Sequence, residues 1–242
     1  GGDPILVSWS GSMFEYLMPL LVMPTFENTL LHQTYQAAVS RQIDYGRQRG
    51  IAWGMSESGY NTTDVHLNYQ YRAFGIPGLG LKRGLADDLV IAPYASMLAL
   101  MVMPEAACTN LERMTNEGLL GAYGFYEAVD YTPARLPRGQ TKAIIRSFMA
   151  HHEGMSLLAL AYLLLDKPMQ ARFVSDPLFQ ATMSLLQERI SKASAHSLPT
   201  GEPADIHVLP ANEVPVRVLT NPNTSLPEVQ LLSNGRYHVM VT

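Results

Sequence analysis

Only one cysteine, Cys108, occurs in the 242 residues. That excludes an internal disulfide framework and any Cys-rich zinc site, and is compatible with a reducing compartment. Charge is also scarce. Asp, Glu, Lys and Arg make up 16% of the chain, against roughly 25% in an ordinary soluble domain. Seventeen basic and twenty-one acidic residues leave a net charge of −4. No basic stripe remains for a phosphate backbone, which argues against nucleic acid as a partner. No apolar run reaches the roughly 20 residues of a membrane span; the longest, 155–165, directly follows His151, His152 and Glu153. A basic n-region and an initiator Met are missing from the opening Gly1-Gly2-Asp3-Pro4, so no signal peptide is expected, and the start reads as a piece of a longer protein. Walker and dinucleotide motifs are absent too, and Lys82-Arg83 after Gly78-Leu79-Gly80-Leu81 is too sparse for a phosphate loop.

What is present is apolar mass. The chain is 47% hydrophobic, enough to bury a core and to exclude intrinsic disorder. Helical spacing dominates up to about residue 193. Glu27–Arg49 is expected to be a helix, with Leu31, Tyr35, Ala38 and Gln42 on one side and Gly50 past its end. Asp87 or Asp88 is expected to cap a helix running through Met103, with Pro93 near its first turn. Pro104 opens and Gly118 stops the next, and Thr141–Leu165 and Gln170–Ser191 read as the last two long helices. Between them lie long loops rich in Gly and aromatics, Gly50–Pro77 and Gly118–Gly139, of a length usually associated with function. This alternation suits an α/α toroid or a bundle.

Near residue 197 the composition changes. Six prolines between Pro199 and Pro227 imply a linker or a meandering surface segment over 196–227. Asn234-Gly235 then separates two strand-like runs, a strong hairpin signal. A hairpin packed on the helices would satisfy this; the favoured reading is the first two strands of a further β domain, because a lone hairpin is marginal in water.

The few carboxylates fall in aromatic, small-residue surroundings. Glu15 lies between Phe14 and Tyr16 in a segment opened by Trp9. Glu57 lies in Trp53-Gly54-Met55-Ser56-Glu57-Ser58-Gly59-Tyr60, with Asp64 close behind. Glu127 and Asp130 share Tyr123-Gly124-Phe125-Tyr126-Glu127-Ala128-Val129-Asp130-Tyr131. Aromatic faces cover the C–H faces of pyranose rings while carboxylates take the hydroxyls, so the mixture points to carbohydrate. Glycoside chemistry needs two carboxyl groups, one as acid and one as nucleophile or base. Each acid also has a plainer reading. Glu15 could serve an N-terminal turn, Glu127 could pair with Arg135 or Arg138, and Asp130 reads as a turn acceptor. Glu57, between two serines with no basic neighbour, has the weakest such alternative. His151 and His152 are expected to diverge by ~100° around a helix and so not to share a metal in the manner of an H-x-x-x-H pair; hydrogen bonding to loops or sugar hydroxyls is expected instead. No metal or cofactor is expected. Cys108 reads as a buried small residue.

At these residues the chain resembles a known family. Trp53–Ser58, Tyr69-Gln70-Tyr71-Arg72-Ala73-Phe74-Gly75, Gly78–Leu85, Tyr123–Thr132 and Phe148–Leu158 resemble the glycoamylase-like domain of bacterial cyclic β-1,2-glucan synthases, over about residues 5–193. The resemblance implies a mainly α domain of (α/α)6 toroid type, incomplete within 1–195. Residues 228–242 resemble the first hairpin of a following β-sandwich. It also implies retaining transglycosylation that cleaves a linear β-1,2-glucan and closes it into a ring. A hydrolase of endo-β-1,2-glucanase type, or a non-catalytic glucan-binding or scaffold module, would be the alternative. Glu57 is the implied nucleophile. The acid/base is implied to lie upstream of Gly1, with Glu127 or Glu15 as fallback. Trp9, Trp53, Tyr60, Asp64, Tyr71, Phe125, Tyr126, Tyr131, His151 and His152 are the implied substrate contacts. At Glu153 the chain departs from the family, where glutamine is usual. The implied partners are the glucan chain and the neighbouring glycosyltransferase and phosphorylase-like domains of one polypeptide, a bacterial inner-membrane protein with this domain on the cytoplasmic side.

Overall fold

A computed structural model describes residues 5–189 and the backbone of 230–233 and 238–241. The chain divides into two compact units, Gly1–Lys192 and Ala193–Thr242. The first is mostly helical with small antiparallel sheets between the helices.

Helix α1, Met13–Leu17, starts at a reciprocal cap in which Ser12 accepts from the Glu15 amide and Glu15 reaches back to Ser12. Helix α2 runs Leu30–Arg49. Its start falls three residues later than expected, because the Thr29 hydroxyl, not Glu27, accepts from the first turn. Its end is as read: Gly50 takes φ +70°, a left-handed C-cap that costs glycine nothing. Tyr35, Ala38, Val39 and Gln42 form its buried side.

The expected loop Gly50–Pro77 contains a hairpin, β1 Ser58–Thr63 with β2 Tyr69–Arg72, in which Gly59 faces Tyr71. The Asp87/Asp88 cap does not exist. Val90–Ile91 is instead a short strand, β3, and α3 begins at Pro93, whose ring pre-sets the first helical φ and whose missing N–H is not needed there, and ends at Ala99. Helix α4, Pro104–Asn116, stops before Gly118 at φ +89° as expected; Cys108 on it is exposed, not buried. Strands β4 Leu120–Gly121 and β5 Gly124–Phe125 form a tight pair. Strand β6, Ala128–Asp130, is central in a three-stranded sheet ordered β3-β6-β7. Its other neighbour, β7 at Ala143–Ile145, occupies the start of the expected Thr141–Leu165 helix. Ile144 and Ile145 suit a pleated, half-buried surface better than a helix, and α5 runs only from Ala150 to Leu164. The expected Gln170–Ser191 helix is broken by Pro177 into α6, Pro168–Ser175, and α7, Pro177–Thr182.

Gly54 and Met55 extend the three-stranded sheet: Met55 bridges Ile91, and the Ala92 amide donates to the Gly54 carbonyl. The core of the first unit joins α1, α2, α3 and this sheet through Leu17, Val39, Met55, Ile91, Leu98 and Ile145, each essentially inaccessible. Glu57 and the β1–β2 hairpin thus leave a rigid sheet edge and cross toward the N-terminus of α5.

In the second unit, β8 Gln230–Ser233 pairs antiparallel with β9 His238–Val241, with Ser233 opposite His238. A two-residue Asn-Gly turn would have set Ser233 against Arg236, so the pairing is wider than expected. The proline-rich stretch 196–227 lies outside the described residues.

Candidate active site

Glu57 is half-buried at the start of the β1–β2 hairpin. Its carbonyl and the Ser56 hydroxyl both accept from the Tyr94 hydroxyl, at 3.0 and 2.7 Å. The Ser56 hydroxyl also accepts from the Phe14 amide at 2.9 Å, which ties the segment to α1. Tyr94 is buried in the first turn of α3, and its ring stacks on His152 at 3.7 Å between centroids, 12° from parallel.

His152, buried at the start of α5, has a partner at each nitrogen. Nδ1 lies 3.0 Å from Oε2 of Glu127, and Nε2 lies 3.2 Å from the Tyr71 hydroxyl. The second Glu127 oxygen accepts from the Gly59 amide at 3.0 Å. Nε2 of His151 reaches the same Tyr71 hydroxyl at 3.3 Å. The two histidines therefore converge on one oxygen, against the expectation that adjacent helical residues diverge. They stand at the first turn of α5, where both rings lean toward β2. Burial, then the charges of Glu57 and Glu127, push the Tyr71 hydroxyl well above the ordinary tyrosine range. Glu57, Glu127, both histidines and Tyr71 are one cluster. Burial first and the charge of His152 second lower the His151 pKa.

A cavity of about 150 Å³ adjoins this cluster, lined by Tyr94, Met97, Phe125, Tyr126, Glu127 and Glu153 among others. Burial, then the nearby Glu127 charge, raises the Glu153 pKa. Phe125 and Tyr126 are thus placed beside the cluster.

The other expected site residues lie elsewhere. Both Glu15 oxygens are taken up by Ser8, Ser10 and Ser12, the shortest contact being 2.6 Å from the Ser10 hydroxyl. Burial raises its pKa, but these hydrogen bonds outweigh burial and leave it lowered. Glu15 is a capping carboxylate. Trp53 is 7% exposed and belongs to the core, its amide and carbonyl both held by Asn110. The reason is α4: Asn110 needs a buried backbone partner, and the Trp53 segment supplies it. Trp9 is 68% exposed beside Lys82, whose amide donates to its carbonyl. Tyr60 packs edge-on to Phe74 beneath the guanidinium groups of Arg72 and Arg135. Asp64 closes the β1–β2 turn by accepting from the His66 and Asn68 amides. Tyr131 donates to the Glu117 carboxylate. Asp130 is fully buried and is the turn acceptor expected of it, taking the Thr132 amide; it also pairs with Arg135 at 2.6 Å. Arg135 is therefore spent on Asp130 and Asp88, not on Glu127.

Tyr94 was not among the expected site residues. Pro93 is the sequence signal for its place, since a proline at the first helical position puts Tyr94 in the first turn of α3, buried against Ser56 and Glu57. Among the described residues, no three His, Cys, Asp or Glu side chains come together as a metal site, and no helix is long and apolar enough to cross a membrane.

The sequence profile of the Glycoamylase family, described as "Putative glucoamylase", matches residues 1–185. The chain belongs to this family. Another relative of this glycoamylase-family chain is "Cyclic beta-(1,2)-glucan synthase NdvB" of Rhizobium meliloti (strain 1021), 45% identical over 256 residues, which cover 100% of this chain and 9% of that protein. The chain thus spans about a tenth of the length of that curated relative. Among solved structures, a beta-1,2-glucanase from Parabacteroides distasonis is 20% identical over 73% of this chain and 24% of its own, with a TM-score of 0.49. An endo-beta-1,2-glucanase from Chitinophaga pinensis, in complex with sophorotriose and glucose, is 18% identical over 74% of this chain and 41% of its own, also at 0.49.

Proposed function

We propose that this chain is part of the glycan-processing domain of a cyclic β-1,2-glucan synthase, which cleaves a linear β-1,2-glucan and joins the fragment to its own other end by retaining transglycosylation. The observation that carries the reading is the gathering of Glu57 and Glu127 around the Tyr71–His152 pair beside an aromatic-lined cavity, in a chain 45% identical along its whole length to a cyclic β-1,2-glucan synthase.

In this reading Glu57 is the nucleophile. Its oxygen attacks the anomeric carbon, the glycosidic bond breaks, and the leaving oxygen takes a proton from a general acid. The resulting ester preserves the free energy of the bond until a glucan hydroxyl replaces the enzyme oxygen and gives its proton to the same group. Glu127 is poorly suited to be that acid. It is buried, with one oxygen on the Gly59 amide and the other on His152, so it has no free oxygen from which to protonate a sugar. The acid/base is then supplied from upstream of Gly1. Phe125, Tyr126, Tyr71 and His151 are the contacts for glucan in this reading.

The rest of the expected context is proposed on the same footing. The helical part of 1–195 belongs to an (α/α)6 toroid. Residues 196–227 are a linker, and β8 and β9 open a β-sandwich. The parent polypeptide is an inner-membrane protein that carries glycosyltransferase and phosphorylase-like domains and holds this one on its cytoplasmic side.

The test is Glu57→Gln in the full-length protein, supplied with linear β-1,2-glucan and followed by the ratio of ring to linear product. Loss of cyclisation is expected. A variant that still closes rings normally would overturn the reading in favour of a glucan-holding module, and a wild type that yields only linear fragments would make the domain a β-1,2-glucanase.

A further inference from the structure

Tyr123 is 89% exposed, more than any other Phe, Trp or Tyr among the described residues, and Phe148 is 42% exposed. Their rings meet edge to face, with centroids 6.4 Å apart and planes 84° from parallel. Phe148 in turn lies 5.6 Å from the Tyr126 ring, tilted by 41°, and Tyr126 lines the cavity beside Glu127 and His152. The three rings therefore run from the cavity wall out to solvent. Neither Tyr123 nor Phe148 is among the substrate contacts implied by the sequence. Apolar surface continuous with a polar cavity is the mark of a binding groove.

The exposure is not that of a loose loop. Tyr123 occupies the two-residue turn between β4 and β5, where Gly121 pairs with Gly124. The base of this hairpin is anchored: the Tyr126 amide donates at 2.8 Å to the carbonyl of Leu119, which is fully buried. The Glu127 amide donates to the Ser147 carbonyl at 3.0 Å, which sets Phe148 alongside Tyr126. Tyr126 is itself held down. A Cβ on Gly121 would lie 2.7 Å from its ring, so the ring rests directly on the hairpin backbone, and the Arg146 guanidinium lies over it at 5.7 Å. An aromatic side chain has only two rotatable bonds, so rings on an anchored backbone lose little freedom when a ligand covers them.

A right-angled pair of rings is a poor platform for a flat ligand. Pyranoses present apolar C–H faces to aromatic rings. In a 1,4-linked β-glucan the two bonds leave opposite ends of each sugar, and successive rings follow a nearly flat ribbon. In a 1,2-linked chain they leave adjacent carbons, and the chain turns at each unit. Successive faces of a turning chain fit two surfaces set at an angle. We propose that Tyr123 and Phe148 form a corner that holds linear β-1,2-glucan at the mouth of the cavity and selects its linkage, each ring stacking on one of two successive glucose units while Tyr126 leads the chain inward. This rests on the proposed glucan-processing function and adds to it the residues that decide which glucan is taken.

Both side chains project into solvent, so Tyr123→Ala and Phe148→Ala are expected to fold. In the full-length protein, each should raise KM for linear β-1,2-glucan roughly 3- to 10-fold, the loss of one aromatic contact, with kcat little changed. Tyr123→Phe keeps the ring and should behave as wild type. A cello-oligosaccharide of equal length, used as a competitive inhibitor, should bind the wild type more weakly than β-1,2-glucan does, and neither alanine variant should weaken it further. An unchanged KM in the Tyr123→Ala/Phe148→Ala double variant would overturn the proposal. So would an equal loss of affinity for both glucans, which would leave an aromatic surface without linkage preference, and so would a fall in kcat at constant KM. Glu57→Gln in the same assay separates the two levels. If it is inactive while the alanine variants keep the wild-type KM, the corner falls and the function stands; if the wild type neither binds nor turns over linear β-1,2-glucan, both fall.

Discussion

At the scale of single residues, the acids divide by what surrounds them in space. Asp130 is fully buried, and Arg135 meets it at 2.6 Å while also reaching Asp88 and Thr132. Removing one partner of such a pair strands the other charge. Arg135→Met is therefore expected to cost about 3 kcal/mol of stability, measured by urea unfolding; a change below about 0.5 kcal/mol would mean Asp130 is satisfied by the Asn61 and Thr132 amides alone. Glu15 predicts a pH signature. Its folded pKa lies below the ordinary value because serine donors outweigh burial. The stability it adds is complete above the free carboxylate's pKa of about 4.3 and is lost as pH falls through the lower folded value. The stability gap between the wild type and Glu15→Gln should be constant near neutral pH and close under acid; a gap that widens under acid would contradict the capping role. Glu15 shows how far the sequence could be read. Ser12-x-x-Glu15 spells out a cap, in line with the N-terminal-turn reading of Glu15. The partners of Glu127 were not legible, because Gly59 and His152 are distant in sequence and nothing local marks them.

At the scale of elements, the sequence was most readable where a single residue dictates the backbone. Gly50 ends α2, Pro104 opens α4 and Gly118 follows it, each as expected. It was least readable where a partner decides. Ala143–Ile145 carries helical spacing into α5, yet pairs with β6 because that strand has a free edge to offer. Two glycines serve the close approach of chain to chain. A Cβ at Gly75 would sit 1.9 Å from the Ser10 carbonyl oxygen, and one at Gly80 would sit 2.6 Å from the Ser10 carbonyl carbon. Neither backbone can give way, since Ser8 bridges Gly80 and its amide is bound to Leu79. Gly75→Ala is expected to lower stability by at least about 3 kcal/mol, the upper end of ordinary overpacking. A thermal midpoint within a degree or two of wild type would show that the crossing is looser than described.

At the scale of the whole molecule, the helical unit leaves several large apolar side chains of its last helices in solvent. Leu157, Leu164, Leu165 and Leu178 are each at least 67% exposed on α5 and α7 and at the end of α5. The mainly helical character was visible in the spacing of apolar residues, whereas the three-stranded sheet was not, since its two- and three-residue strands leave no periodicity to detect. With the proposed acid/base upstream, residues 1–242 alone are expected to turn over linear β-1,2-glucan far more slowly than the full-length protein; comparable cyclisation by the two would contradict that division of the site. The central claim is that Glu57 becomes esterified to glucose. It is tested most directly by trapping the full-length protein with a mechanism-based β-1,2-linked fluorosugar and locating the label by peptide mass spectrometry. The account predicts a single modification on the peptide that contains Glu57, at that side chain. A label on another carboxylate, or no covalent adduct under conditions that support turnover, would contradict it.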